Sequence, residues 1–170
     1  EAQAWLDANP SAPREIVTLE NAERIRAETL AGFGPAMTAA RAEFPVDESD
    51  VIEGGVPCSE IAGGDRADAV VLYFFGGGYV VGSPGEDIVI TAPIASALRG
   101  RVLAPLYPLS PENSFPAASE AGLDVYRSLL TEFTPDRIVV AGESAGGNLA
   151  LVTMLRARDE GLDLPAGLAL

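Results

Sequence analysis

Seven consecutive residues, Ala69-Val70-Val71-Leu72-Tyr73-Phe74-Phe75, offer nothing charged to water and run directly into Gly76-Gly77-Gly78. A strand apolar on both faces has to be covered from above and below, and helices that return the chain for the next parallel strand are the usual cover. The texture recurs at Val102 to Leu106 and at Ile138-Val139-Val140-Ala141, each run separated from the last by a helical stretch. That alternation predicts an α/β fold, a mostly parallel sheet between two helical layers. Ala166 to Leu170 reads as the opening of one more strand.

The helices between these runs carry their own punctuation. Ser83 with Glu86 three residues on makes a capping box with Pro84 at the first helical position, so a helix is expected to begin there, to bend or restart at Pro93 and to close at Gly100. Pro116 opens a second helix with Leu123, Tyr126, Leu129 and Leu130 on its apolar face. A third carries Leu149, Val152 and Leu155 on one side, Arg156 and Arg158 where cations suit the helix dipole, and Gly161 as its stop. From residue 1 to about 44 the chain is rich in Ala, Glu and Arg. Its helical spacing (Ile25, Thr29/Leu30, Phe33) is broken by Pro10, Pro13 and Pro35, which predicts two or three short helices. The division expected is helices over 1–45 and an α/β core over 46–170. The acidic stretch Asp47-Glu48-Ser49-Asp50 lacks the glycine and spacing of a calcium loop and reads as a solvated linker.

Composition then excludes whole classes of chemistry. The 170 residues, 48% of them apolar, can bury one domain's core, so a disordered tail is excluded. Acidic residues outnumber basic ones 25 to 11, and a net charge of −14 repels nucleic acid and anionic membrane surfaces. Every basic residue is Arg; Lys and His are both absent. There is accordingly no P-loop, no Schiff base and no imidazole base or ligand. One thiol, Cys58, permits neither an internal disulfide nor a cysteine zinc site, and it reads as a small buried apolar residue. No apolar run reaches the ~18 to 20 residues of a membrane span, and the N-terminus does not read as a secretory signal. A soluble, cytoplasmic protein is expected, with no metal.

Gly142-Glu143-Ser144-Ala145-Gly146 has the Gly-x-Ser-x-Gly spacing of a nucleophile elbow, a strand-to-helix turn so tight that its flanking residues must be glycine. It stands where four β-formers stop and an amphipathic helix begins, so the helix N-terminus faces the serine with its backbone N–H groups. Ser144 is therefore the candidate nucleophile. Gly76-Gly77-Gly78 is not a dinucleotide fingerprint, because the required later glycine is missing; its unencumbered N–H groups suit the other half of an oxyanion hole. A serine hydroxyl and amides from two strand ends together form an acyl-transfer constellation. Glu143 either tunes that site or is an exposed turn carboxylate. Tyr79 either lines the pocket or anchors the loop.

Three segments together, Phe75-Gly76-Gly77-Gly78-Tyr79, Tyr107 to Ala118 and Gly142 to Asn148, resemble the hormone-sensitive-lipase-like esterases of the α/β-hydrolase superfamily, in that family's order and at about its spacing. The resemblance runs from about Val51 to Leu170, and the N-terminal helices would match the family's cap. It implies hydrolysis of a small carboxylic ester, usually of short acyl chain, without a cofactor. It places the nucleophile at Ser144 and the oxyanion donors at the N–H groups of Gly77, Gly78 and Ala145, with Gly76 in support.

The chain departs from that family in three places. Phe75 stands where the family usually has His, so packing alone must hold the glycine loop. Pro108 replaces a common Arg, which removes a charge partner for Glu112 or a neighbour. Most important, the superfamily's chain order is Ser, acid, His, yet only 26 residues follow Ser144 and none is His. Asp159 and Asp163 follow the serine but are expected at the far end of the elbow helix. Two readings stay open: the N-terminal part of a hydrolase truncated after the elbow helix, or a complete ligand-binding pseudoenzyme. A homo-oligomer or a complementing C-terminal segment would fit either.

Overall fold

The carboxyl ends of two parallel strands lie side by side at one edge of the sheet, and this adjacency positions everything else. The computed structural model describes residues 15–65 and 68–170, so the helix breaks expected at Pro10 and Pro13 lie outside the described residues. The strands are β1 (Asp47–Glu53), β2 (Val56–Ala62), β3 (Val70–Phe74), β4 (Arg101–Pro105), β5 (Ile138–Gly142) and β6 (Gly167–Ala169). The helices are α1 (Ala22–Glu43), α2 (Ile88–Leu98), α3 (Ala117–Glu132) and α4 (Ala145–Asp159). One sheet runs β1-β2-β4-β3-β5-β6. β3 pairs in parallel with β4 and β5, and β5 with β6, while β1 and β2 join antiparallel.

Helices α1 and α2 pack together, with α2 on β2 and β4; α3 and α4 pack together on the sheet as a second layer. Between these layers every residue of β3 is buried, as its two-sided apolarity requires. The small residues Ala150, Thr153 and Ala157 let α4 sit close, and a Cβ on Gly122 of α3 would lie 2.7 Å from the Thr153 hydroxyl. The buried stripe of α4 is therefore Leu149, Ala150, Thr153, Met154 and Ala157. Of the stripe expected from spacing, only Leu149 is fully buried; Val152 is half-buried and Leu155 exposed. The expected face of α3 holds, with Leu123, Tyr126 and Leu129 buried. Gly161 ends α4 in the left-handed conformation, and Leu162 N–H reaches back to the Ala157 carbonyl.

Several local expectations are corrected. Asp47 to Asp50 is not a linker but the first half of β1, paired residue for residue with β2 from Asp47↔Ala62 to Asp50↔Ser59. Its own residues are polar because it is an exposed edge, where charge discourages further pairing, and Arg41 holds Glu48 at 2.6 Å. The described part of the N-terminal region is one 22-residue helix, not several, with Pro35 inside it. Pro35 removes the hydrogen bond to the Ala31 carbonyl, and that turn is exposed, so the carbonyl is left open to solvent rather than buried. At Ser83 the capping contacts do form, Ser83 Oγ to Glu86 at 2.8 Å and Glu86 N–H to Ser83 Oγ at 3.3 Å. They close a turn, however, and the helix begins only at Ile88, after Asp87 has turned its carboxylate toward β3. Pro93 leaves α2 unbroken, and its cap is Arg99 (φ 49°), with Gly100 N–H bonded to Ala95.

The β1–β2 turn is Gly54-Gly55, both at positive φ. A Cβ on Gly54 would also run into the backbone of Asp124, whereas one on Gly55 meets open space. Gly55→Ala should thus cost about 1–2 kcal/mol of backbone strain, and Gly54→Ala about 3 kcal/mol or more, a ranking that urea denaturation of the two variants reads directly.

Candidate active site

The register fixes how two loops meet. Phe74 of β3 lies opposite Gly142 of β5, so Phe75-Gly76-Gly77-Gly78 and Glu143-Ser144 leave the sheet together, at the carboxyl ends where α/β sheets hold their ligands. The elbow turns so sharply that a Cβ on Gly142 would overlap the backbone of Gly146, and a Cβ on Gly146 would overlap the carbonyls of Phe74 and Phe75. Both glycines are thus required by space. Ser144 sits at φ 52°, ψ −118°, a conformation side-chain-bearing residues avoid at a cost of about 1–3 kcal/mol and one that collects at functional sites. Its side chain is exposed, and among the described residues its hydroxyl has no hydrogen-bond partner, although its carbonyl accepts from Asn148 N–H.

The glycine loop takes its shape from three fastenings. Val80 and Val81 N–H both return to the Gly77 carbonyl at 3.1 Å, with Gly77 at φ 114° and Gly78 at 64°. Tyr79 Oη donates to Asn148 Oδ1 at 2.7 Å, tying the loop to the first turn of α4. Gly76 N–H reaches Asp87 Oδ2 at 3.4 Å, and the same oxygen accepts from Tyr73 Oη at 2.9 Å. Against the other side of Gly76 lies Glu143, whose carboxylate occupies the space a Cβ would need. The N–H groups of Gly77, Gly78 and Ala145 donate to none of the turn or cap hydrogen bonds among the described residues, unlike those of their neighbours Gly76 and Gly146.

Phe75 is held by stacking. Its ring lies 4.1 Å from that of Tyr107, nearly parallel at 12°, while Tyr107 Oη donates to the Phe75 carbonyl at 2.7 Å. Tyr79 meets Tyr107 edge-on at 6.1 Å. An aromatic cluster thus does the loop-holding work that a polar residue at position 75 would otherwise share.

The partner that Pro108 lacks comes from elsewhere. Arg26 of α1 forms a two-pronged pair with Glu112, both contacts 2.8 Å, and donates to the carbonyls of Val80 and Ser110 at 2.8 Å. Glu112 is held below the usual carboxylate range by this guanidinium. Sequence reasoning missed Arg26 and also Asp87; neither carries a local signal, since their partners are distant in sequence.

Glu143 is exposed as a residue, yet partial burial and then the nearby Asp87 charge raise its pKa above the ordinary value. Burial raises Asp87 too, against the lowering effect of Tyr73 and Gly76. Asp159, at the other end of α4, is fifteen residues from Ser144, about 22 Å along a helix. Neither it nor Asp163, whose carbonyl accepts from Tyr126 Oη, belongs to the serine's surroundings. The Cys58 thiol is buried and pushed up to about 12 by desolvation. Among the described residues no group of three or more His, Cys, Asp or Glu side chains could hold a metal, and no helix is long and apolar enough to cross a membrane.

Residues 71–170 match a family model described as the alpha/beta hydrolase fold. The chain belongs to the α/β-hydrolase family. Within that family it is related to the hormone-sensitive-lipase-like esterases. It is 37% identical over 123 residues to an acetyl-hydrolase of Streptomyces hygroscopicus, covering 71% of this chain and 41% of that protein. It is 34% identical over 117 residues to an esterase of Acinetobacter venetianus, covering 68% and 39%. A crystal structure of a hormone-sensitive lipase from a metagenome library superposes with a TM-score of 0.79 at 34% identity, over 99% of this chain and 56% of that one. The chain therefore spans roughly two fifths to just over half the length of these α/β-hydrolases.

Two outcomes test this geometry. Because glycine tolerates φ 52° freely, Ser144→Gly should stabilise the fold by about 1 kcal/mol over Ser144→Ala, as measured by urea denaturation. For Asp87 the raised folded-state pKa means a contribution to stability that is full below the unfolded pKa and lost as pH rises through the folded value. Asp87→Asn escapes that loss and keeps an acceptor for Tyr73, so its Tm relative to the parent should climb between pH 4 and pH 7. A flat difference across that range would contradict the burial of this carboxylate.

Proposed function

We propose that the protein hydrolyses small carboxylic esters, with Ser144 as nucleophile and the N–H groups of Gly77, Gly78 and Ala145 as the oxyanion hole. The observation that carries this reading is the strained serine at the junction of two strand tips, where the N–H groups of Gly77, Gly78 and Ala145 make no turn or cap hydrogen bond. Membership of a hydrolase family whose matched relatives include an acetyl-hydrolase and an esterase supports the same reaction class. Ser144 Oγ attacks the ester carbonyl carbon while its proton passes to a base. The carbonyl oxygen takes the negative charge and is met by the amides, and the C–O bond to the alcohol then breaks as the alcohol receives the proton. Water repeats the sequence on the acyl-serine and releases the acid. Removing one oxyanion donor typically costs ~10²- to 10³-fold in rate.

The base is not among these residues. The 170-residue sequence contains no His, so we assign the base and its orienting acid to polypeptide outside it, either a continuation of the chain or a complementing segment. No cofactor is required by this chemistry, and a cytoplasmic setting fits the single buried thiol. The missing His also favours one alternative, a binding module that has kept the pocket and lost the reaction.

A fluorophosphonate probe separates the two. In a polypeptide that contains this chain together with the base, Ser144 should be labelled rapidly and Ser144→Ala not at all. The isolated chain should react at least about 10³-fold more slowly, because a serine without its base is a weak nucleophile. Rapid labelling of the isolated chain would refute the external base. No labelling in any longer form would leave the binding module.

A further inference from the structure

The reaction scheme leaves Arg26 unused, yet its guanidinium makes four hydrogen bonds, at the glycine loop and at the segment bonded to that loop. The bond that bears on the reaction runs from Nε to the Val80 carbonyl, 2.8 Å. That carbonyl and the Val81 N–H belong to one peptide group, planar and trans, so they point in opposite directions. The Val81 N–H donates in turn to the Gly77 carbonyl at 3.1 Å, and this carbonyl shares its own planar trans peptide with the Gly78 N–H. Arg26 is therefore connected to one of the proposed oxyanion donors through two rigid plates and two hydrogen bonds. Each bond in the series donates the same way, from the cation toward the place where the ester oxygen becomes negative.

Two physical effects follow. Gly77 (φ 114°), Gly78 (64°) and Tyr79 (65°) hold positive φ in succession, whereas that region is ordinarily visited by single residues. Backbone kept there persists only where its surroundings over-determine it, and gripping the 80–81 peptide takes freedom from the turn that aims the Gly78 N–H. Hydrogen bonds aligned head to tail also polarise one another, and a cation at the head makes each N–H after it a stronger donor. The ion pair with Glu112 does not account for the arrangement by itself. Its side chains are 27% and 41% exposed, a setting in which charge pairs add little to stability. What Glu112 supplies is a fixed pose for the planar fork, whose Nη2 also holds the Ser110 carbonyl.

We propose that Arg26 is a positioning residue for ester hydrolysis, aiming and strengthening the Gly78 N–H through the peptide groups at 80–81 and 77–78. This rests on the ester-hydrolase reading. Its test uses the complete active polypeptide, p-nitrophenyl acetate as substrate, and a short-chain trifluoromethyl ketone, whose adduct with the serine carries an oxyanion in the same place. In Arg26→Ala, kcat should fall about tenfold with KM within about twofold. That is less than the ~10²- to 10³-fold of a donor removed, because the N–H remains and is only misaligned. The ketone's inhibition constant should rise by the factor that kcat/KM loses, since both read stabilisation of the tetrahedral state. Arg26→Lys keeps the charge beside Glu112 but has no planar fork, so its kcat should stay at least about threefold below the parent's; it decides the matter if Arg26→Ala does not fold. Arg41→Ala, which breaks the pair with Glu48 elsewhere on α1, should leave kcat within about twofold. A higher KM at unchanged kcat, an unchanged ketone constant, full activity in Arg26→Lys, or an equal loss in Arg41→Ala would overturn the relay while leaving hydrolysis by Ser144 intact. Absence of any hydrolysis that Ser144→Ala abolishes would instead defeat the ester reading itself, and the relay with it.

Discussion

Where α4 begins, its first turn lies directly against the carbonyls of Phe74 and Phe75, and only the missing side chain of Gly146 allows that approach. The rest of the site depends on this contact. It brings the end of β5 and the loop after β3 within reach of one another, so that Glu143 can lie on Gly76 and Tyr79 can bond Asn148. Gly142 serves the same close packing from the strand side. A methyl group at either position would have to push backbone rather than a flexible side-chain tip, and close-packed backbone does not give cheaply. The bend at Ser144 is the strained remainder of that closeness, held by a helix and a sheet that are both well buried.

Much of this was legible because glycine spacing reports backbone proximity. The run from Val70 to Phe74 announces a central strand through its composition alone, and the residues at 142 and 146 announce a turn that excludes side chains. β1 was illegible for a related reason: it is a strand through pairing with β2, and its own residues are those of a solvated edge. Its turn, Gly54-Gly55, was the available signal. The capping box at Ser83 forms its contacts yet starts no helix, because Asp87 bonds Tyr73 and Gly76 and the helix begins only at Ile88. The stripe of α4 departs from its hydrophobic spacing because small residues govern how near it sits.

The site shows how one function of a side chain can be carried by another. Phe75 and Tyr107, thirty-two residues apart, hold the glycine loop through a stacked pair and one hydrogen bond to a carbonyl. Arg26 reaches Glu112 across eighty-six residues of sequence. Neither arrangement follows a local pattern, since each exists only once the sheet has brought its members together.

Arg26 has a mechanical consequence. Its guanidinium grips the Val80 carbonyl, just past the glycine loop, and the Ser110 carbonyl, on the segment between β4 and α3, while Glu112 steadies it. Val80 lies on one stretch of chain and Ser110 and Glu112 on another, and α1 is joined to both through this one guanidinium. Any tilt of α1 that breaks this grip takes a shared tie from both stretches at once and leaves them joined by the Ser110 N–H to Tyr79 carbonyl bond, so the roof over this end of the sheet cannot lift without loosening the walls beneath it.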